Sequence, residues 1–335
     1  MKQNTTIFDL SKILNLSTST ISRALKDHPD IAAETKKRVR ELAAKLDYEP
    51  NLSAAGLRTN NTKELAIIVP TLSGFFYDSV ISSIEGEARK HGYSLMILVS
   101  SDDVAIEIEN LKICKQRHVA GVLVCLSLHT KDFLPFIKLQ ELEIPIIFFD
   151  KVPNSDIFPR VSFNDERAAS LAANALIKKK KKNILSLFGN IDLSITQRRL
   201  TSYSATFNNH FLTENDKNYL FIEHASSSTE AAEIVCKYFG GENKPDAIFC
   251  MTDELLIGTM KAVQVLKLSI PDTVGLIAIS NGLFPKFYHP EVTYVETSGH
   301  SLGQLAFSRM LNYLQGNKEN SEISAEASLM EGGSL

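Results

Sequence analysis

From Leu65 onward, short apolar runs alternate with longer amphipathic stretches, and this alternation constrains the fold more than any other feature. Leu65-Ala66-Ile67-Ile68-Val69-Pro70, Ser94-Leu95-Met96-Ile97-Leu98-Val99, Gly121-Val122-Leu123-Val124-Cys125 and residues 144–149 read as buried strands. Between them, residues 77–91, 105–116 and 133–142 carry helical spacing. A second set repeats the theme, with strands at 184–189, 219–223, 247–250 and 274–279 and helices at 167–178, 197–208, 228–239 and 254–266. Near-continuous apolar strands joined by helices predict parallel sheets covered on both faces, and two sets predict two α/β lobes. Ligands of such sheets bind beyond the carboxyl ends of the strands. The candidates to touch one are therefore Thr71, Ser73, Phe75, Phe76, Asp150, Asn190, Thr252, Asp253, Ser280 and Asn281.

The chain of 335 residues, 44% hydrophobic and 22% charged, is long enough for two or three globular units. It holds no apolar run long enough for a transmembrane helix, and its polar start predicts a chain that stays in the cytoplasm. Cys114, Cys125, Cys236 and Cys250 form no CxxC, which predicts reduced, mostly buried thiols rather than a zinc or redox centre. No HExxH, GxSxG or P-loop supports catalysis, so no cofactor is expected. The five lysines from Lys178 to Lys182 read as a solvated turn between a helix and a strand.

Charge separates the head from the body. Residues 1–62 carry 10 Lys+Arg against 7 Asp+Glu, a net +3, while the rest carries 26 against 32, a net -6. A basic head on an acidic body suits a head that meets an anion. Within it, Ile7, Leu10, Ile13 and Leu14 recur at helical spacing after Thr6, a plausible N-cap. Asn15 tolerates the left-handed turn that would end this helix. Ser17 can cap a second helix, Thr18 to Leu25, with Ile21, Ala24 and Leu25 inward and Thr18, Ser19, Ser22 and Arg23 outward. A third helix, about Ile31 to Leu46, turns Val39, Leu42, Ala43 and Leu46 inward. Hydroxyls and an arginine on the second helix have the chemistry to enter a major groove. Periodicity alone leaves open a small helical bundle whose second helix is merely solvated.

Residues 47–51 then break the third helix, and residues 52–59 form a short helix candidate of mostly small residues. It is too short to stand alone in water. It could fold against a minor groove with Leu57 as an apolar wedge, or serve as a plain linker.

Thr6-Ile7-Phe8-Asp9-Leu10-Ser11, Leu16-Ser17-Thr18-Ser19-Thr20-Ile21-Ser22-Arg23-Ala24-Leu25 and Tyr48-Glu49-Pro50-Asn51 resemble the headpiece of the LacI/GalR family of transcriptional regulators. The resemblance implies a helix-turn-helix over residues 1–50, with Thr18, Ser19 and Arg23 reading bases. It implies that Thr6, Ser17, Thr20 and Ser22 contact phosphate. It places Asn51, Ala54 and Leu57 in a hinge helix within residues 51–62, with Leu57 intercalating. Gly56 should weaken that helix by about 1 kcal/mol relative to Ala, so that its folding leans on the DNA.

Residues 63–335 resemble the periplasmic-binding-protein-like type I core of the same family, which binds effector and dimerises. Three chain crossings between lobes are expected near Val161, Glu291 and Ser324. Lobe one is then about 63–161 plus 293–323, and lobe two about 162–291 plus 325–335. By the resemblance, Asp150 is the ligand carboxylate, Arg199 the pocket arginine and Asp253 part of an Asn/Asp-Asp segment. Phe75 and Phe76, after Ser73, fall where aromatics cover a sugar face. Asn281 stands where many members carry Asp-Asp, which should make an acidic sugar more tolerable. Carboxylates and a guanidinium suit a polyhydroxylated ligand, although Asp150 could merely end a strand and Asp253 cap a helix.

The reading that follows is a dimeric repressor of carbohydrate-utilisation genes, bound to a pseudo-palindromic double-stranded operator and released by a sugar or sugar acid. A regulator needing a purine or protein corepressor is the nearest alternative. A solute-binding protein without a DNA role, or an enzyme on the same fold, is less well supported by these motifs.

Overall fold

The structure is a computed structural model that describes residues 5–48, 62–211 and 219–335. The chain divides into two compact units, Met1–Thr62 and Lys63–Leu335. The expected hinge positions Asn51, Ala54, Gly56 and Leu57 lie outside the described residues.

The first unit holds three helices, α1 (Ile7–Leu14), α2 (Thr18–Leu25) and α3 (Ala33–Lys45). Each start and stop of the first two has a local cause. Thr6 Oγ1 accepts from Asp9 N, and the Asp9 carboxylate accepts from Thr6 N at 2.8 Å, a reciprocal capping box. Asn15 ends α1 in the left-handed region at φ 54°. Ser17 Oγ accepts from Thr20 N at 3.1 Å and opens α2. Helix α3 starts at Ala33, later than the expected Ile31, and its N-cap Ala32 offers no side-chain acceptor. Leu10, Ile21, Ala24, Val39 and Ala43 form the buried centre, and Leu25, Leu42 and Leu46 pack against it.

The second unit starts with β1 (Glu64–Val69), α4 (Phe75–Lys90), β2 (Ser94–Val99), α5 (Val104–Arg117), β3 (Gly121–Val124), α6 (Leu134–Gln140), β4 (Ile146–Phe149) and β5 (Arg160–Phe163). These build the first lobe. The second lobe takes α7 (Asp165–Lys178), β6 (Asn183–Phe188), α8 (Ser194–Phe211), β7 (Tyr219–His224), α9 (Ser228–Gly240), β8 (Ala247–Cys250), α10 (Asp253–Val265), β9 (Gly275–Ser280) and β10 (Thr293–Glu296). The chain returns to the first lobe with α11 (Gly299–Leu314) and β11 (Glu322–Ala325), then ends in the second with β12 (Ser328–Met330).

The first sheet has the order β11-β5-β4-β3-β1-β2 and is parallel throughout; the second has the order β12-β10-β9-β8-β6-β7 with only β12 antiparallel. The exception follows from direction of travel. Strand β10 leaves the second lobe and β12 enters it, whereas β5 and β11 both leave the first. The inner strands of each sheet are buried on both faces, while the edge strands β2 and β7 are partly exposed. In β1, Leu65, Ile67 and Val69 join one core cluster, while Ala66 and Ile68 join the cluster on the opposite face. Among the described residues, no helix is long and apolar enough to cross a membrane.

Strand pairing moves all three expected crossings a few residues along the chain. Strand β5 carries the first sheet to Phe163, so that crossing follows Phe163 rather than lying near Val161. Residues 293–296, expected in lobe one, pair with β9 in the second sheet, so the second crossing follows Glu296 rather than Glu291. Strand β11 stays in the first sheet through Ala325, and the third crossing is at 326–327 rather than Ser324. Strand β5 escapes a hydropathy reading because Arg160 and Ser162 alternate with Val161 and Phe163. All four are nonetheless buried. Arg160 donates to Pro153 O at 3.1 Å and pairs with Asp156, and Ser162 donates to Glu322, so both polar side chains find partners inside the fold, although Arg160 Nε itself has none.

Candidate functional site

Two sites emerge, one in each unit. In the first, α2 buries Ile21 and Ala24 and leaves Ser17, Ser19 and Arg23 exposed, with Thr18, Thr20 and Ser22 half-buried. Ser17 Oγ lies 2.8 Å from both Ser19 Oγ and Thr20 Oγ1, so the hydroxyls form one connected cluster at the helix start. Hydroxyls can turn their protons, so the cluster can donate to a phosphate or accept from a base. Thr6 and Ser17 are the N-caps of α1 and α2, where helix dipoles favour an anion. Lys12, Lys26, Lys37, Arg38, Arg40 and Lys45 are exposed cations of the same unit. One exposed acid is neutralised locally: Asp27 pairs with Lys36 at 3.1 Å and Arg40 at 3.0 Å, and the hydrogen bond and charge of Lys36 lower its pKa.

In the second unit, the carboxyl ends of both sheets converge between the lobes. Asp150 follows β4 in the left-handed region at φ 60°. Its Oδ2 accepts from Tyr77 OH at 3.3 Å and from Cys125 Sγ at 3.6 Å. Burial pushes the Asp150 pKa upward, against the opposing charges of Lys151 and Arg199. Arg199 lies on α8 of the other lobe. Arg199 is almost wholly buried: Nε donates to Asp165 Oδ1 at 2.8 Å and Nη1 to Met251 O at 3.0 Å. Asp165 opens α7 and is equally buried. Desolvation lifts its pKa to about 6 although Arg199 pulls it down.

The remaining expected ligand contacts differ in their freedom. Phe75, 46% exposed, starts α4 and meets Phe284 of the other lobe edge-on, with ring centroids 5.0 Å apart. Phe76 turns into the first lobe against Tyr77 and Phe163. Ser73 is exposed, and its N–H donates to Thr71 Oγ1 at 2.9 Å. Asp253 turns inward, accepting from Ser280 Oγ and, at 3.1 Å, from Asn281 N; burial raises its pKa. Asn281 ties the lobes together. Its Nδ2 donates to Phe75 O at 3.2 Å, and its Oδ1 accepts from Gly299 N at 2.8 Å. A second tie joins Arg198 of α8 to Glu322 of β11 at 2.9 Å.

Sequence reading missed Asp165, Tyr77, Cys125 and the pair of Lys151 with Asp102, 3.2 Å apart. Asp165 and Tyr77 sit inside predicted helical regions or at their edge, where an acid or a tyrosine carries no signal of facing a cleft. Only the placement of Lys151 directly after Asp150 could have drawn attention to it.

The descriptions of two family models match this arrangement. Residues 6–51 match bacterial regulatory proteins of the lacI family, and residues 62–328 match the periplasmic binding proteins and sugar binding domain of the LacI family. Catabolite control protein A of Priestia megaterium is 26% identical over 329 residues, covering 96% of this chain and 95% of that protein. The HTH-type transcriptional repressor PurR of Vibrio atlanticus (strain LGP32) is 24% identical over 310 residues, covering 92% of each. The lac repressor dimer, solved bound to operator and the anti-inducer ONPF, shares the fold with a TM-score of 0.87 at 18% identity, covering 99% of both chains. With its headpiece and its core both matched, this chain belongs to the LacI family of bacterial regulatory proteins and is a DNA-binding transcriptional regulator.

Proposed function

We propose that the protein represses carbohydrate-utilisation genes as a cytoplasmic homodimer and leaves its operator when a small polyhydroxylated effector binds between the lobes. The observation that carries the DNA reading is the division of α2 into a buried face, Ile21 and Ala24, and an outer face of hydroxyls with Arg23. Arg23, Thr18 and Ser19 read base edges; Thr6, Ser17, Thr20 and Ser22 hold phosphates. Asn51, Ala54 and Leu57 belong to a hinge that folds in the minor groove, with Leu57 as its wedge. Two-fold symmetry of the dimer matches a pseudo-palindrome.

The effector cleft lies among Ser73, Phe75, Phe76, Asp150 and Arg199, with Asp253 and Asn281 as supports. An effector can act only by binding one lobe arrangement better than the other. The cleft binds rather than catalyses. Burial pushes the Cys125 thiol far up, as it does the Tyr77 hydroxyl, so neither supplies a nucleophile near neutral pH.

The test begins with duplex DNA selected from a random pool. Affinity for the recovered sequence should fall steeply between about 50 and 200 mM salt. Binding that ignores salt and sequence would sink the DNA reading. A melting-temperature screen with neutral sugars, uronates, sugar phosphates and purines then identifies the effector class. A response to purines alone would favour corepression.

A further inference from the structure

Lys151 and Arg199, the cations whose charge acts on Asp150, are both already paired. Arg199 Nε is bound to Asp165 Oδ1 at 2.8 Å, with side-chain exposures of 5% and 4%, and Lys151 Nζ is bound to Asp102 at 3.2 Å. Asp150 adds a further buried carboxylate, held by Tyr77 and Cys125 rather than by a cation of its own. Asp253 lies behind, occupied by Ser280 and Asn281. Each of these two cations thus has a carboxylate of its own. Arg199 still has N–H groups beyond those that hold Asp165 and Met251 O, so it keeps hydrogen-bond donors. It has no unbalanced positive charge to offer.

We propose that Asp165 is the specificity-determining residue of the cleft: by neutralising Arg199 it restricts the effector to uncharged polyols and refuses uronates and sugar phosphates. The inference rests on the effector reading of the cleft. It reverses the expectation drawn from Asn281, whose amide is spent between Phe75 O and Gly299 N and so does not relieve the charge met by a ligand. Desolvated charges interact strongly, so an unpaired ligand anion beside Asp150 and Asp165 is costly. A sugar hydroxyl accepting from Arg199 and donating to Asp150 is not.

The experiment uses the full-length protein at pH 7.5, with inorganic phosphate and D-glucuronate as probes at constant ionic strength. Any response of the natural protein to phosphate or glucuronate over chloride should be the same in Arg199→Ala. Asp165→Asn keeps a side-chain oxygen for Arg199 Nε but removes the charge, and phosphate should raise its melting temperature by a few degrees. The double variant Asp165→Asn, Arg199→Ala subtracts phosphate held by the headpiece or by Lys178 to Lys182. Its response should return to that of the natural protein. If Asp165→Asn gains nothing from phosphate, the proposal is overturned. It is equally overturned if phosphate or glucuronate stabilises the natural protein and Arg199→Ala abolishes the effect. This second arm needs no variant at Asp165, so a poorly folding Asp165→Asn does not protect the idea. Failure of the effector reading looks different: a neutral sugar found by screening would bind Arg199→Ala as well as the natural protein.

Discussion

Arg23 is exposed on a helix that buries Ile21 and Ala24 on its opposite face, so truncating it leaves the headpiece core closed. Arg23→Ala should cost about 1–3 kcal/mol of affinity for the selected sequence and less for random duplex. Equal losses on both, in fluorescence anisotropy, would move Arg23 to a phosphate-contacting role. At the other site, Asp165 makes a pH prediction. Its pKa is about 6 in the folded state, above the unfolded value of about 3.9. The folded state therefore binds more protons between those limits, and this group's contribution to stability falls as pH rises from about 4 to 6. Asp165→Asn should gain stability relative to the natural protein across that window. Denaturant midpoints that keep a constant difference from pH 4 to 6 would show that the carboxyl titrates normally.

Helix termini and helix contacts make their own predictions. Ser17 is the N-cap of α2 and also anchors its hydroxyl cluster. Ser17→Ala should destabilise the headpiece by about 0.5–2 kcal/mol, visible as increased amide exchange in α2. In the core, α9 and α10 approach so closely that a Cβ on Gly258 would sit 2.0 Å from Ser228 O and 2.9 Å from Ala231 Cβ. The obstacle is backbone, which cannot swing away. Gly258→Ala should destabilise the core by about 1–3 kcal/mol and lower its denaturant midpoint. Element edges in α1 and α2 were readable because Thr6, Asn15 and Ser17 act within three or four residues of themselves. Strand β5 was not, because its polar residues are buried by partners such as Glu322, contributed from far along the chain.

For the core as a whole, polar groups tie one lobe to the other. Among the ties between them are the Asn281 amide and the Arg198–Glu322 pair. Asn281→Asp exchanges the donor that meets Phe75 O for a carboxylate oxygen. Leaving a carbonyl unsatisfied and facing a charge should loosen that edge of the cleft by about 1–3 kcal/mol. Hydrogen exchange should then quicken at the start of α4 and at Gly299, with the strand interiors unchanged. Unchanged exchange at both places would mean that the tie contributes nothing to closure.

What the sequence determined by itself is whatever depends on neighbours along the chain. Helical spacing and capping residues set out the headpiece, and apolar runs between helices set out two parallel sheets. The headpiece segments carried enough detail to identify the family. What only the tertiary structure decided is which polar groups remain free to act. Arg199 meets Asp165 across 34 positions, Arg198 meets Glu322 across 124, and Asn281 meets Phe75 across 206. A guanidinium, an amide or a carboxylate looks the same in a sequence whether it is free or spent. Its charge and hydrogen-bonding capacity are settled by partners that only folding brings within 3 Å or so.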